Sequence, residues 1–109
     1  MMKKFDESYV LLSDMRHDEY FPEFLVDKVE ALIREVITLL EGGEKDLDTV
    51  QKALDKMTLA INDLQEEFEE NDSEIETAAR DSIGETVEYV LKWFDIDIDI
   101  ETAIAERDW

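Results

Sequence analysis

The stretch Leu64–Arg80 reads LQEEFEENDSEIETAAR, and the rest of the chain is organised around it. Leu64 and Phe68 end a helical apolar stripe, with Glu66, Glu67, Glu69 and Glu70 crowded about them. Asn71-Asp72-Ser73 breaks the pattern. Ser73-Glu74-Ile75-Glu76 then reads as a capping box. The serine oxygen accepts from the backbone N–H three residues on, and Glu76 reaches back to the Ser73 N–H. Glu74 and Glu76 also suit the positive end of a helix dipole. A helix stop followed by a helix start makes this the corner between two long helices.

Upstream of the corner, Leu47, Val50, Leu54, Met57, Ile61, Leu64 and Phe68 repeat at alternating spacings of three and four. This is a narrow heptad seam of about three repeats, suited to shallow packing. Asp46 or Asp48 is placed to cap it. Before it, Leu25, Val29, Leu32, Val36 and Leu39 form a second stripe, thickened by Val26, Ile33, Ile37 and Leu40. A helix apolar around so much of its circumference belongs in the centre of a bundle. Pro22 suits its first turn and Gly42-Gly43 its end. Downstream, Ile75, Ala79, Ile83, Val87, Val90 and Phe94 continue helically, with Gly84 inside at a cost of about 1 kcal/mol relative to alanine.

The ends read as shorter elements. Phe5, Tyr9 and Leu12 place a short helix near residues 6–15, followed by a connection over Arg16–Tyr20. The tail segment Asp95–Ile100, DIDIDI, alternates like a strand but has no second strand to pair with. A turn is expected there, then a helix over about 100–106, capped by Asp99, with Ile100, Ala103 and Ile104 facing the core. The expected fold is all-α. Three long helices over about 22–41, 47–70 and 74–94 form an antiparallel bundle, with short N- and C-terminal helices, in a single domain spanning 1–109.

Composition bounds the function. The 109 residues carry 31 acids against 11 bases, a formal net charge of −20. The surplus is uneven: residues 1–57 hold 14 acids and 8 bases, whereas 58–109 hold 17 acids and only Arg80, Lys92 and Arg107. Such a surface repels nucleic acid and anionic membranes and steers cationic partners inward. The absence of cysteine excludes disulfides, thiolate nucleophiles and Cys-ligated zinc. The N-terminal residues lack a signal-peptide pattern, and no apolar run is long enough to cross a bilayer, so a cytoplasmic location is expected.

Several motifs invite chemistry. Glu66-Glu67-x-x-Glu70 followed by Glu85-x-x-Glu88 resembles the paired acidic motif of the all-α nucleotide pyrophosphohydrolases, which gather carboxylates around magnesium. Helical phase turns these glutamates outward. In a hairpin folding near Asp72, Glu85 lies about 10 Å further along the axis than the residue opposite Glu66. Asp95, Asp97, Asp99 and Glu106 fit positions of a calcium loop, but Ile100 stands where glycine is needed. His17, the one histidine, reads as a surface residue. Glu76 and Arg80 form an i, i+4 pair in the favourable order. The aromatics Tyr20, Phe21, Phe24, Tyr89, Trp93 and Phe94 read as core at a bundle end, with Trp109 as the exception that could anchor a partner.

YFPEFLVDK (Tyr20–Lys28), the corner Leu64–Arg80 and the closing ERDW (Glu106–Trp109) together resemble a family of small acidic bacterial proteins classed only as a domain of unknown function. The resemblance covers most of the chain. It implies a bacterial cytoplasmic source and a stand-alone domain, and it brings no activity, ligand or catalytic residue with it. The functional expectation is a non-catalytic binding or inhibitor-type module for a basic protein partner. Its candidate contacts are Glu66, Glu67, Glu69, Glu70, Asp72 and Trp109. No catalytic residue, metal or cofactor, no nucleic acid and no membrane enters this reading, and the chain is a monomer or a dimer. The alternatives are a metal-dependent nucleotide pyrophosphohydrolase-like enzyme and an oligomeric structural module using the heptad seam.

Overall fold

The heptad stripe becomes the longest element of the computed structural model, which describes residues 3–109. In chain order the helices are α1 (Ser13–Arg16), α2 (Glu23–Glu41), α3 (Leu47–Glu70), α4 (Thr77–Trp93) and α5 (Ile100–Ala103). No strand occurs among the described residues. The three long helices lie where the apolar periodicities put them. Val50, Leu54, Met57, Ile61 and Phe68 of α3 are buried, Leu64 is half-buried, and Leu47 at the first position is exposed.

The closest helix pair is α2 with α3. They run antiparallel, so that Lys28 near the start of α2 meets Glu67 near the end of α3 at 2.5 Å. The expected α3–α4 hairpin is looser than its sequence suggests. Close backbone approaches of α4 are to α1 and α5, and α5 also touches α3. The C-terminal segment therefore sits between the two helices that meet at the corner. A row of polar side chains on α3 holds it there. Gln51 Nε2 donates to the Thr102 carbonyl at 3.1 Å, and Asn62 Nδ2 donates to the Glu106 carbonyl at 2.9 Å. Asn62 Oδ1 accepts from the Asp108 N–H at 3.2 Å, and Gln65 donates to the Asp108 carboxylate. Ala103, Ile104 and Trp109 are buried beneath these bonds. The principal extents, 44 × 28 × 18 Å, leave room for two layers of helices at the usual spacing of about 10 Å.

Helix ends supply the corrections. Helix α4 starts at Thr77, not at 74, and the capping box is absent. Instead Asp72 takes a left-handed φ of 58°. Its N–H donates to the Glu69 carbonyl at 3.2 Å, and the Ser73 N–H donates to the Phe68 carbonyl at 2.9 Å. These are the two bonds of a Schellman ending. Ser73 thus belongs to the stop of α3, and its hydroxyl is buried without a partner. The same ending closes α4: Asp95 has φ 57°, and the Ile96 N–H donates to the Leu91 carbonyl at 2.9 Å. At the end of α2, Gly43 takes the left-handed position (φ 93°).

The first helix is shorter than its periodicity suggests. Residues 3–12 form turns and irregular chain, and only Ser13–Arg16 is helical. A local turn competes with the helix: Asp6 Oδ1 accepts from the Ser8 N–H at 2.9 Å and the Ser8 hydroxyl at 2.6 Å. Tertiary bonds fix the remainder. The Phe5 N–H donates to Glu41 at 2.8 Å, and the Tyr89 hydroxyl donates to Asp6 Oδ2 at 2.6 Å. Tyr9 stacks on Tyr89 at 3.9 Å. Leu12 is left-handed (φ 56°) and fully buried, and its N–H donates to Thr86 Oγ1 at 3.1 Å. The C-terminal helix ends at Ala103, three residues short of its expected end, and Asp99 caps it by accepting from the Glu101 N–H at 3.0 Å.

Gly84 lies in the middle of α4, where a Cβ would meet nothing within 4 Å. Neither packing nor backbone conformation requires glycine there. Gly84→Ala is expected to stabilise the protein by about 1 kcal/mol, through better helix propensity and a less flexible unfolded chain. Urea unfolding followed by circular dichroism measures this, and a lower midpoint would show that the glycine serves the fold.

Candidate functional site

The acidic corner is built by the last two turns of α3 and the connection to α4. Phe68, with no exposed surface, anchors the turn from the inside. Helical phase then directs Glu66, Glu69 and Glu70 to solvent, and the left-handed Asp72 stands exposed beyond them. Asp63, Glu66, Glu67, Glu70 and Asn71 line a shallow depression. Glu67 is half-buried and held by Lys28. Glu66, Glu69, Glu70 and Asp72 have no ion pair among the described residues.

Two exposed aromatics, Tyr20 and Phe24, flank the entry of α2, whose Lys28 binds Glu67 of the corner. Tyr20 is 40% exposed and Phe24 47% exposed, so the core expectation fails for both. Tyr20 packs edge-on against buried Phe21, with ring centres 5.1 Å apart. Partial desolvation, and then the negative charges of Glu76, Glu74 and Asp18, hold its phenol above the ordinary tyrosine range. Tyr20 is thus within electrostatic reach of the residues leading into α4. The Phe24 ring lies 5.7 Å from the Lys28 ammonium, which also binds Glu67. Phe24 lies in the first turn of α2, out of phase with buried Leu25, Val26 and Val29, and Tyr20 lies in the turn before Pro22, the N-cap of that helix. The sequence signal was the density of aromatics around that proline. Their direction depended on the exact start of α2.

The other candidates are distributed differently. Trp109 is 8% exposed and joins the core cluster, so it offers no surface anchor. The aromatics of the late α4 do pack inward: Phe94 is fully buried, and half-buried Tyr89 and Trp93 are met by Phe5 and Tyr9. Glu85 and Glu88 line a groove with Arg80, Ile100 and Arg107, apart from the depression holding Glu66 and Glu70. Among the described residues no three histidine or acidic side chains gather as a metal site would require. The expected Glu76–Arg80 pair is absent from the ion pairs of the described residues, because α4 begins only at Thr77 and Glu76 has extended backbone. His17 is exposed at the end of α1, and its Nδ1–H donates to the Ser13 carbonyl at 2.8 Å.

An ionic clip fixes the segment that carries Tyr20. Arg16 of α1 reaches Asp27 at 2.9 Å and Glu30 at 2.7 Å, both on α2. Arg34 closes on the other oxygen of Glu30 at 2.8 Å. Burial pushes the Glu30 carboxyl up, but the hydrogen bonds from Arg16 and Arg34 outweigh it and hold the group below its ordinary value. The Glu30 hydrogen bond in turn raises Arg16.

The fold and this surface define a small all-α protein with an acidic helix corner and exposed aromatics at the entry of α2, linked through Lys28 and Glu67. The chain belongs to the family of unknown function DUF5713, whose model matches residues 5–109. No curated protein and no solved structure matches the chain. Among the described residues no helix is long and apolar enough to cross a membrane.

The Glu30 clip gives a signed pH dependence. Its folded-state pKa lies below the unfolded value. The clip therefore contributes stability above the unfolded pKa and loses it as the pH falls through the folded one. Glu30→Gln is expected to cost about 1 kcal/mol at neutral pH, with the difference from wild type vanishing in acid. Thermal unfolding of both proteins from pH 7 to pH 3 tests this. A difference that stayed constant across the range would show that the carboxylate charge is not what holds α1 to α2.

Proposed function

We propose that the protein is a non-catalytic binding module, of the kind that inhibits or sequesters, for a basic protein partner in the bacterial cytoplasm. The observation that carries this reading is the juxtaposition at the corner. The carboxylates Glu66, Glu69, Glu70 and Asp72 lack basic partners among the described residues, and exposed Phe24 reaches the same corner through Lys28, which binds Glu67, with exposed Tyr20 nearby at the entry of α2. Each half has a separate role in association. Unpaired carboxylates on a chain of net charge −20 raise the encounter rate with a cationic surface and orient it. Aromatics contribute the short-range affinity, because they bury large rigid surfaces at small entropic cost. Glu67 takes part through its bond to Lys28, which keeps α2 and α3 in register beneath the corner. Trp109 acts from inside the fold by holding the tail.

The test uses the tagged full chain as bait in extract of its native host, at low and at high salt, with bound proteins identified by mass spectrometry. Wild type should retain a basic protein that is lost as salt rises. The neutralised variant (Glu66→Gln, Glu69→Gln, Glu70→Gln, Asp72→Asn) should lose most of it. Tyr20→Ala with Phe24→Ala should weaken it by about 1–3 kcal/mol at any salt concentration. Recovery of no specific protein, or recovery indifferent to both variants, would overturn the reading.

A further inference from the structure

The expectation that α2 is central, apolar around most of its surface, is met only in part. Leu32 and Leu39 remain half-buried on one side of the helix. On that side the groove is lined by residues of α2 and α3, with none from α1, α4 or α5. A groove of about 220 Å³ runs there between the two helices, walled by Leu32, Val36 and Leu39 from α2 and by Ala53, Met57 and Ala60 from α3. The alanines make it concave. The charged residues lining it are Glu35 and Lys56, one from each helix.

The groove does not end blindly. Beyond Ala60 the same stripe of α3 continues by helical phase through Leu64 to Glu67, and Asp63, Glu66 and Glu70 flank it in the acidic depression. From Ala53 to Glu70 this path is about 25 Å long at 1.5 Å per residue. An apolar trough that passes along one helix to a carboxylate field, in which Glu67 is paired with Lys28 and Asp63, Glu66 and Glu70 have no ion pair among the described residues, has a defined complement. It fits a helix whose apolar side chains recur at i, i+3, i+4 and i+7 toward one end and whose other end is rich in lysine or arginine. A second copy of this chain is a poor complement. Each copy carries a net charge of −20, and face-to-face docking would bring like-charged corners together.

We propose that the α2–α3 groove receives an amphipathic helix from the basic partner. Its apolar face lies against Leu32, Leu39, Ala53 and Met57, and its cationic end lies over Asp63, Glu66 and Glu70. This rests on the reading of the chain as a module for basic proteins. It adds the form in which the partner is recognised.

The probe is a fluorescein-labelled synthetic peptide of about 18 residues, roughly 27 Å as a helix, with leucines on one face toward one end and lysines at the other. The control has the same composition, shuffled so that the leucines share no face. Fluorescence anisotropy with the full chain should give at least ten-fold tighter binding of the patterned peptide. Ala60→Arg, which fills the groove, should abolish that preference. Ala53→Arg does the same from the other end of the groove and carries the comparison if Ala60→Arg fails to fold by circular dichroism. Neutralising Asp63, Glu66 and Glu70 to their amides should weaken both peptides. Equal binding of the two peptides, unaffected by the groove variants, would overturn the inference while leaving the acidic-corner reading intact. Binding of neither peptide would also overturn it, and the extract experiment above would then decide the fate of the corner reading by itself. A wild-type dimer in sedimentation that Ala60→Arg converts to monomer would assign the groove to a second copy, again against the inference.

Discussion

The arrangement depends on the C-terminal segment lying between α3 and α4. The two helices are joined by a short connection, yet they make few close backbone approaches to each other; α5 touches both. Ala103, Ile104 and Trp109 contribute to the core shared by the long helices. Hydrophobic burial alone would not set the position of such a short segment, since it is non-directional. The carboxamides of Gln51, Asn62 and Gln65 add direction by bonding tail atoms along the length of α3. A four-residue helix has little stability of its own, so α5 exists because the groove that receives it satisfies both its apolar face and its backbone.

The scarce cations are spent on fastening. Lys3 and Lys45 donate to the Trp93 and Phe94 carbonyls, at 2.6 and 2.5 Å, where the C-terminal end of α4 concentrates partial negative charge. Arg16 joins α1 to α2, Lys28 joins α2 to α3, and Arg107 pairs with Glu101 within the tail at 3.1 Å. Most of these pairs are exposed, and each is worth little in isolation. Their placement still has a consequence. Lys3, Arg16, Lys28 and Lys45 join separate segments, and none of them pairs with Glu66, Glu69, Glu70 or Asp72 at the corner.

Three long helices were legible because their apolar residues recur with helical period over many turns, and that signal accumulates with length. The short elements were not, because competing local bonds decide them. Ser73 to Glu76 satisfies the pattern of a helix start, but a left-handed Asp72 lets the same serine complete the stop of α3 instead. Phe5, Tyr9 and Leu12 have helical spacing, yet Asp6 closes a turn on Ser8 and Phe5 packs on Phe94 and Trp93. Asp99 was readable as a cap because nothing nearby competes for it. At the candidate site, the outward phase of the corner glutamates followed from Ile61 and Phe68 being inside. The exposure of Tyr20 and Phe24 and the burial of Trp109 did not follow, since they depend on where the chain crosses the entry of α2 and where the tail returns.

Exposed aromatics and unpaired carboxylates are an uneasy surface for an isolated domain. The carboxylates repel one another, and the rings leave apolar area in water. Neither feature is needed for the core, which is closed by Phe21 beneath Tyr20 and by Phe68 beneath the glutamates. The fold holds both features firmly all the same: Tyr20 against Phe21, Phe24 against the Lys28 that bridges to Glu67, and Asp72 by the backbone bonds of the helix stop. The bridge also stands between this corner and the apolar groove of the same helix pair. A partner that met both would cross Lys28 and Glu67, whose opposite charges already satisfy each other. Of the acids in that path it would then compete chiefly for Asp63, Glu66 and Glu70, which leaves the register of α2 on α3 undisturbed.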